Sequence, residues 1–440
     1  MKYYVRTYGC QMNVADSDEM SRLLDARGLG PTDDPEVASI YLMNTCTVRQ
    51  HAEDRAFSEV GRLKRWKAAS PDRKLVITGC AAERTREFLE DRFPHVDLVV
   101  GAKSIGDFGP IVDRLLERQP TDLGLDYAAG AMGDRVSAFV TVMRGCNYSC
   151  TYCIVPYVRG RESYRPMDEI LDEVGMRVEE GTRDFTLLGQ TVNSYHRNGG
   201  RGRHTDFADL LEAVAGVPGV GRIRFISPHP YYMTDRVIGA MASIPAVCEG
   251  LHLPVQSGSN SVLRAMLRNY TREQYVELVA RLRDAMPRLV LSTDLIVGFP
   301  GESDADFEKT LSLVEDVGFD WAFVFKYSPR QGTPAAGLPS WPDDIVEARH
   351  RECLERVERI AIGNRSRFVG TTQEVLIEDG GFGRTRGNYK VRVDGDLPAG
   401  ELVDVVITNA ERATLEGMMK NTSCDATTPD RSSNCPKAFG

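Results

Sequence analysis

The chain has 440 residues, of which 42% are hydrophobic and 27% charged, enough for two to four domains that each bury a core. Its formal net charge of −9 excludes an overall field that attracts nucleic acid, although a local basic patch would still permit binding. No run approaches the ~18 apolar residues of a membrane span, and the first residues lack the apolar segment of a signal peptide. We therefore expect a cytoplasmic protein without membrane association.

The first hundred residues alternate short apolar runs with amphipathic stretches. The pattern predicts strands at 3–8, 40–43, 75–78 and 97–100, and helices at 16–27, 50–68, 85–92 and 106–118. Strands that alternate with helices form parallel sheets covered on both faces. Residues 1–118 are therefore predicted to form a Rossmann-like or flavodoxin-like domain.

Residues 119–134 lose this periodicity and contain three glycines, which indicates a linker. A second β/α series then begins, with predicted strands at 138–143, 185–188, 222–226, 250–255, 289–297 and 321–326. A charged helix is predicted at 343–368. Six β/α units predict an α/β domain with a partial (β/α)6 barrel over residues 135–367.

The pattern changes again after this helix. Short alternating runs at 372–377, 389–393, 402–407 and 414–417 are separated by glycines, which predicts a small antiparallel β-barrel over residues 368–419. Residues 420–440 are polar and poor in apolar side chains, and we expect a disordered tail.

The ten cysteines are too sparse for a disulfide scaffold, and three of them form one tight motif. Cys146, Cys150 and Cys153 lie within eight residues, just after a predicted barrel strand. A structural zinc site would need a fourth ligand, and none lies nearby in the sequence. Three thiolates on an iron–sulfur cube leave one iron without a protein ligand, and that iron is available for chemistry.

A second set of three cysteines is dispersed along the N-terminal domain. Cys10, Cys46 and Cys80 each lie within two or three residues of the end of a predicted strand. The carboxyl ends of parallel strands share one edge, so these thiols can converge into a second cluster site. The other four cysteines, Cys248, Cys353, Cys424 and Cys435, are interpreted as bystanders.

The segments around both sets resemble the radical SAM methylthiotransferase family. The N-terminal motifs are Thr7-Tyr8-Gly9-Cys10-Gln11-Met12-Asn13, Asn44-Thr45-Cys46-Thr47-Val48-Arg49 and Thr78-Gly79-Cys80. Residues 144–162 resemble the cluster loop that binds S-adenosylmethionine (SAM), and residues 251–259 match a further block of the family. The C-terminal barrel resembles a TRAM domain, which binds RNA.

The resemblance implies two [4Fe-4S] clusters and SAM as cofactors. The cluster on Cys146, Cys150 and Cys153 would bind SAM, and the cluster on Cys10, Cys46 and Cys80 would carry the sulfur to be transferred. The expected SAM contacts are Tyr152, Gly189, Gln190, Asn193, Gly298 and Gly301. No general acid or base is assigned, and His229 and His252 are interpreted as structural.

Two motifs, Gln11-Met12-Asn13 and Cys46-Thr47-Val48-Arg49, resemble the branch that adds a methylthio group to C2 of N6-isopentenyladenosine at tRNA position 37. Alternative targets within the family are threonylcarbamoyl-adenosine in tRNA and an aspartate of a ribosomal protein. An interpretation of a different class is a non-catalytic iron–sulfur protein that binds RNA.

The implied partners are the anticodon stem-loop of tRNA and a cellular electron donor, and the protein is expected to be a monomer. Basic side chains neutralise phosphates and aromatic ones stack on bases, which makes certain residues beside the cluster loop and in the small barrel candidates for RNA contact. These candidates are Arg159, Arg161, Arg384, Arg386, Tyr389 and Lys390.

Overall fold

The computed structural model describes residues 1–48, 50–117, 136–198, 204–395, 397–411 and 413–420. The predicted linker at 119–134 and the predicted tail beyond residue 420 lie outside the described residues. Within the described part of the chain, no helix has the length and apolar character needed to cross a membrane.

The N-terminal domain is a parallel sheet with helices on both faces, as predicted. Its strands are β1 (Lys2–Thr7), β2 (Gly30–Pro31), β3 (Ile40–Thr45), β4 (Lys74–Gly79) and β5 (Leu98–Gly101). They pair in the order β2-β1-β3-β4-β5, the flavodoxin-like arrangement. The helices are α1 (Gln11–Asp25), α2 (Gln50–Ala68), α3 (Cys80–Arg84), α4 (Arg86–Arg92) and α5 (Phe108–Leu115), with a 3-10 helix at Ala102–Asp107. Every residue of β3 is buried, because two hydrophobic clusters cover the two faces of the sheet.

The middle of the chain forms an incomplete barrel. Its strands and hairpins are β6 (Ser137–Thr141), β7 (Met143–Arg144), β8 (Ser163–Tyr164), β9 (Asp184–Leu188), β10 (His196–Asn198), β11 (His204–Asp206), β12 (Arg222–Phe225), β13 (Gly250–His252), β14 (Val290–Val297) and β15 (Trp321–Lys326). Two parallel runs, β6-β9-β12 and β13-β14-β15, are joined by a parallel bridge between Ile223 and Val247. Six barrel strands therefore form the predicted partial (β/α)6 barrel.

The described residues include eight α-helices that follow or connect these strands, and the first of them, α6, packs against the N-terminal domain through Val158. They are α6 (Val155–Arg159), α7 (Met167–Glu179), α8 (Phe207–Ala215), α9 (Asp235–Ser243), α10 (Asn260–Ala265), α11 (Arg272–Ala285), α12 (Asp304–Val317) and α13 (Asp343–Ser366). Reciprocal capping boxes start α8, α11 and α12 at Asp206, Thr271 and Ser303, which satisfies amide groups that would otherwise lack a partner.

The C-terminal strands close into a barrel. They are β16 (Thr372–Asp379), β17 (Phe382–Thr385), β18 (Lys390–Val393), β19 (Leu402–Asn409) and β20 (Leu415–Met419), in the closed order β16-β17-β18-β20-β19. The sequence pattern missed β17, and β18 pairs with β20 in parallel, whereas an all-antiparallel barrel was predicted.

Two buried arginines of β12 fix this small barrel to the large one. Arg222 donates to the carbonyl of Arg384 over 2.7 Å and pairs with Glu374 at 2.9 Å. Arg224 donates to the carbonyls of Thr385 and Arg386 over 2.9 and 2.7 Å. The strand β17 is thus held by charge-assisted bonds to the sheet beneath it.

Candidate two-cluster site

The three dispersed cysteines converge at the carboxyl edge of the N-terminal sheet. Cys10 caps the start of α1, Cys46 follows β3, and Cys80 is the first residue of α3. The Sγ atom of Cys46 would lie 3.1 Å from a Cβ atom placed on Gly9, next to Cys10. Cys46 and Cys80 are buried and Cys10 is exposed. The edge therefore gathers three thiols, one of which faces outward.

The local cysteine motif forms the loop between β7 and α6. The hydroxyl of Thr191 lies 3.4 Å from the Cys146 sulfur, which also accepts a bond from the amide of Tyr148 over 3.4 Å. The guanidinium of the half-buried Arg268 donates to the Cys150 sulfur over 3.5 Å. Arg268 was not predicted as a site residue, since nothing in the sequence places residue 268 beside the loop.

Two glycines that precede ligand candidates have backbone conformations that side chains disfavour. Gly79 has φ +99°, and a Cβ atom there would lie 2.3 Å from the carbonyl oxygen of Thr45. Gly145 has φ +79°, and a Cβ atom there would lie 2.1 Å from the carbonyl oxygen of Arg161. Glycine is required at both positions so that the next residue, Cys80 or Cys146, points into its site.

Burial sets the protonation state of two of these thiols. Burial raises the pKa of Cys80 and of Cys153 to about 12, so both are protonated until a metal replaces the proton. In the described part of the chain, no three Cys, His, Asp or Glu side chains are grouped to hold a metal ion. Three cysteines that bind three different irons of a cube are held farther apart than the ligands of one ion.

Four of the expected SAM contacts stay candidates for binding the cofactor: Tyr152, Gly189, Gln190 and Gly301. Tyr152 packs with Ile296 and Phe299, and the buried Oε1 of Gln190 has no hydrogen-bond partner among the described residues. Gly189 lies against the side chain of Met143, and Gly301 has open space around it.

Two of the predicted SAM contacts also bond or pack inside the protein. Asn193 bonds with both ends of its amide to the backbone of His229, over 3.0 and 2.8 Å. A Cβ atom on Gly298 would lie 2.7 Å from Val346 of α13, so this glycine permits helix packing. Both residues thus have contacts inside the protein, and their contact with SAM stays a prediction.

Three of the RNA-contact candidates bond inside the protein, and burial of Arg159 and Tyr389 contradicts the prediction for those two. Arg159 is buried and pairs with Asp16 at 2.8 Å. Arg386 pairs with Glu249 at 2.7 Å and bonds to the carbonyl of Val247. Tyr389 is buried, and its hydroxyl donates to Asp320 over 3.1 Å, so it cannot stack on a base.

The other three candidates remain at the surface. Arg161 and Lys390 are exposed, and the ammonium of Lys390 lies 4.4 Å from the centre of the Phe382 ring. Arg384 is partly exposed and pairs with Glu378 at 3.0 Å.

An ion network joins the two cysteine sites. Asp16 of α1 is fully buried and binds both Arg144, just before the cluster loop, and Arg159, at its end. Glu19 pairs with Arg144 at 2.5 Å. Burial opposes ionisation of Asp16, but the two guanidinium groups outweigh it and lower the pKa of the carboxyl. One helix thus begins at Cys10 and holds the flanks of the other cysteine loop.

Family models match the chain in three consecutive parts. Residues 2–101 match the Uncharacterized protein family UPF0004, residues 140–314 match the Radical SAM superfamily, and residues 366–420 match the TRAM domain. Among solved structures, the radical S-adenosylmethionine methyltransferase TsrM from Kitasatospora setae, with cobalamin and a [4Fe-4S] cluster bound, is similar in fold. Its TM-score is 0.58 at 13% identity, and the match covers 76% of this chain and 77% of that one.

Similar proteins with curated names match over nearly the whole length. The tRNA-2-methylthio-N(6)-dimethylallyladenosine synthase of Ectopseudomonas mendocina (strain ymp) is 40% identical, and the match covers 96% of this chain and 99% of that protein. The protein of the same name from Carboxydothermus hydrogenoformans is 41% identical, with 95% and 99% covered. The chain therefore belongs to the family of tRNA-2-methylthio-N(6)-dimethylallyladenosine synthases, which are radical SAM enzymes.

Proposed function

We propose that this chain transfers a methylthio group to C2 of N6-isopentenyladenosine, also called dimethylallyladenosine, at position 37 of tRNA. The observation that carries the proposal is the pair of three-thiol sites joined by Asp16, Arg144 and Arg159. Adenine C2 bears an unactivated C–H bond, which ordinary acid–base chemistry does not break. Such a reaction needs reactive cofactors that the protein holds in a fixed arrangement.

The residues present fit two [4Fe-4S] clusters and SAM. Each site offers three thiols, and the buried, unpartnered Oε1 of Gln190 can accept a hydrogen bond from a polar ligand such as SAM. When bound, these groups supply an electron, a SAM-derived radical and the sulfur for transfer.

The protein itself contributes charge and position. Arg268 beside Cys150, and Arg159 beside Cys80, place positive charge where the thiols must lose their protons. Arg330, a second residue that was not predicted from the sequence, is buried and donates to the carbonyl of Val48 over 2.6 Å. It thereby connects the loop after β15 to the loop that carries Cys46.

The nucleotide must leave its stack to reach such a site, as in other enzymes that act on bases. We place the anticodon stem-loop across the exposed side chains of Arg161 and Lys390. A cellular electron donor, a monomeric enzyme and a cytoplasmic location, where tRNA is available, complete the proposal.

The proposal is tested by mass spectrometry of tRNA nucleosides from a deletion strain. We expect loss of 2-methylthio-isopentenyladenosine and accumulation of isopentenyladenosine. Loss of the methylthio form of threonylcarbamoyl-adenosine instead would contradict the proposal.

Two variants of the purified enzyme separate the roles of the two cysteine sites. Cys150→Ala should abolish production of 5′-deoxyadenosine, and Cys46→Ala should retain it but lose methylthio transfer. A non-catalytic iron–sulfur protein would make no 5′-deoxyadenosine even with both cysteine sets intact.

A further inference from the structure

The inner face of β15 carries a row of aromatic side chains that have no role in binding the clusters. Alternate residues of a strand point to the same side, which places Trp321, Phe323 and Phe325 together, followed by Tyr327. Val324 faces the other way and packs in the core with Cys353 and Val357 of α13. The aromatic row therefore lies on the face of the strand opposite to α13.

Phe323 is the most open member of this row. Its side chain is 51% exposed, and its ring stacks on Phe325 with centroids 6.5 Å apart. A large apolar side chain exposed beside other aromatic rings is a surface suited to binding an apolar or planar group.

The neighbouring strand places a carboxylate directly beside Phe323. Asp294 of β14 is the registered partner of Phe323, and Ser292 occupies the equivalent position opposite Trp321. His252 of β13 holds Asp294 with Nε2 at 3.3 Å and Ser292 with Nδ1 at 2.9 Å, and its ring contacts Phe323 at 5.8 Å. The side chain of Asp294 remains 25% exposed. The same surface is thus apolar along β15 and negative along β14.

This surface adjoins both cysteine loops. Phe325 and Tyr327 pack in one cluster with Tyr152 of the cluster loop. After the strand, Arg330 bonds to Val48 beside Cys46, and the amide of Ala335 donates to the carbonyl of Thr151 over 2.9 Å. The aromatic row of β15 therefore leads from Phe323 to the loops that carry Cys150 and Cys46.

We propose that Phe323 and Asp294 form the subsite that selects the N6 substituent of the target adenosine. This inference rests on the proposed function and identifies the residues that determine the enzyme's substrate selectivity. Phe323 contacts the apolar isopentenyl group, and the carboxylate of Asp294 repels a threonylcarbamoyl group, which carries a carboxylate of its own. Selectivity then combines an attractive contact for one substrate with a repulsive one for its competitor.

The test measures binding of three anticodon stem-loop RNAs that differ only at position 37, where they carry isopentenyladenosine, adenosine or threonylcarbamoyl-adenosine. The enzyme is the full chain with both clusters and SAM. For Phe323→Ala we expect affinity for the isopentenyl RNA to fall about tenfold or more, and affinity for the adenosine RNA to stay within about twofold. Phe88→Ala is the matched control, because Phe88 is 49% exposed on α4 and makes no contact with this surface.

Asp294→Asn removes the charge while keeping the size of the side chain. We expect it to strengthen binding of the threonylcarbamoyl RNA about fivefold or more and to leave the isopentenyl RNA unchanged. Equal losses on all three RNAs in Phe323→Ala, or unchanged discrimination in both variants, would overturn the inference.

Turnover is measured separately to keep the two proposals distinguishable. A wild-type enzyme that prefers the isopentenyl RNA but never methylthiolates it would overturn the proposed function and leave the subsite standing. A wild-type enzyme that methylthiolates this RNA, with unchanged preference in Phe323→Ala and Asp294→Asn, would overturn the subsite alone.

Discussion

At the scale of single residues, burial keeps the imidazole of His229 in its neutral form. Its ring stacks on Tyr148 at 4.2 Å, and its Nδ1 accepts a bond from the amide of Tyr231. Burial, aided by the charge of Arg268, lowers the pKa of His229 to about 2. The imidazole is therefore neutral at every pH at which the protein works, in keeping with the structural role expected from the sequence.

This neutrality predicts a loss of stability in mild acid. The unfolded state binds a proton at His229 below its ordinary pKa of about 6.5, whereas the folded state does not until pH falls to about 2. The free energy of unfolding should therefore fall as pH drops, by about 2 kcal/mol between pH 7 and pH 5. His229→Phe keeps the ring stacking and should lack this contribution. Denaturant titrations of both proteins at the two pH values measure it, and equal pH dependence would contradict the prediction.

At the scale of elements, the sequence predicted the strands well and the functional helix poorly. The apolar run 40–43 falls within the observed β3, because a fully buried strand is recognised from its hydrophobicity alone. Helix α1 starts at Gln11, whereas the prediction began at 16, because its first turns bury polar residues such as Asn13 and Asp16. Hydrophobic periodicity cannot detect a helix end whose core contacts are hydrogen bonds and ion pairs.

The same limit explains the candidate site. The six cysteines could be predicted as ligand candidates from their spacing and from their places after strands, whose ends the topology brings together. Arg268, Arg330 and the inward role of Arg159 could not, because an arginine in the sequence resembles a surface charge until its buried partner is known.

The turn from β4 into α3 gives a prediction at the element scale. Gly79→Ala would force a methyl group against the carbonyl of Thr45 and strain the backbone before Cys80. We expect iron content to fall from about eight to about four atoms per chain, while reductive cleavage of SAM persists. Gly175→Ala is the control, because it lies inside α7 with nothing within 4 Å of the added atom. Full iron content in Gly79→Ala would show that the turn tolerates a side chain.

At the scale of the whole molecule, Asp16 couples the N-terminal domain to the barrel. Asp16→Asn would leave Arg144 and Arg159 short of a buried counter-charge, at a cost of about 3–5 kcal/mol in the free energy of unfolding. The same contact aligns the two cysteine sites. The product ratio, which is the amount of methylthiolated RNA formed per 5′-deoxyadenosine, should therefore fall severalfold. A stability loss with an unchanged product ratio would assign Asp16 to folding alone. Recovery of the ratio in Asp16→Glu, which restores the charge, would support alignment.

The contacts that attach the C-terminal barrel to the large barrel determine which of its basic residues can bind RNA. Lys390 is exposed, so Lys390→Ala should weaken tRNA binding and reduce the slope of log affinity against log salt by about one. Arg386 bonds to Glu249, Pro245 and Val247 of the large barrel, so Arg386→Ala should lower the unfolding free energy instead. Filter binding from low to physiological salt measures the slope, and denaturant titration measures stability. A reduced slope in Arg386→Ala with unchanged stability would mean that this arginine leaves its partners to bind phosphate.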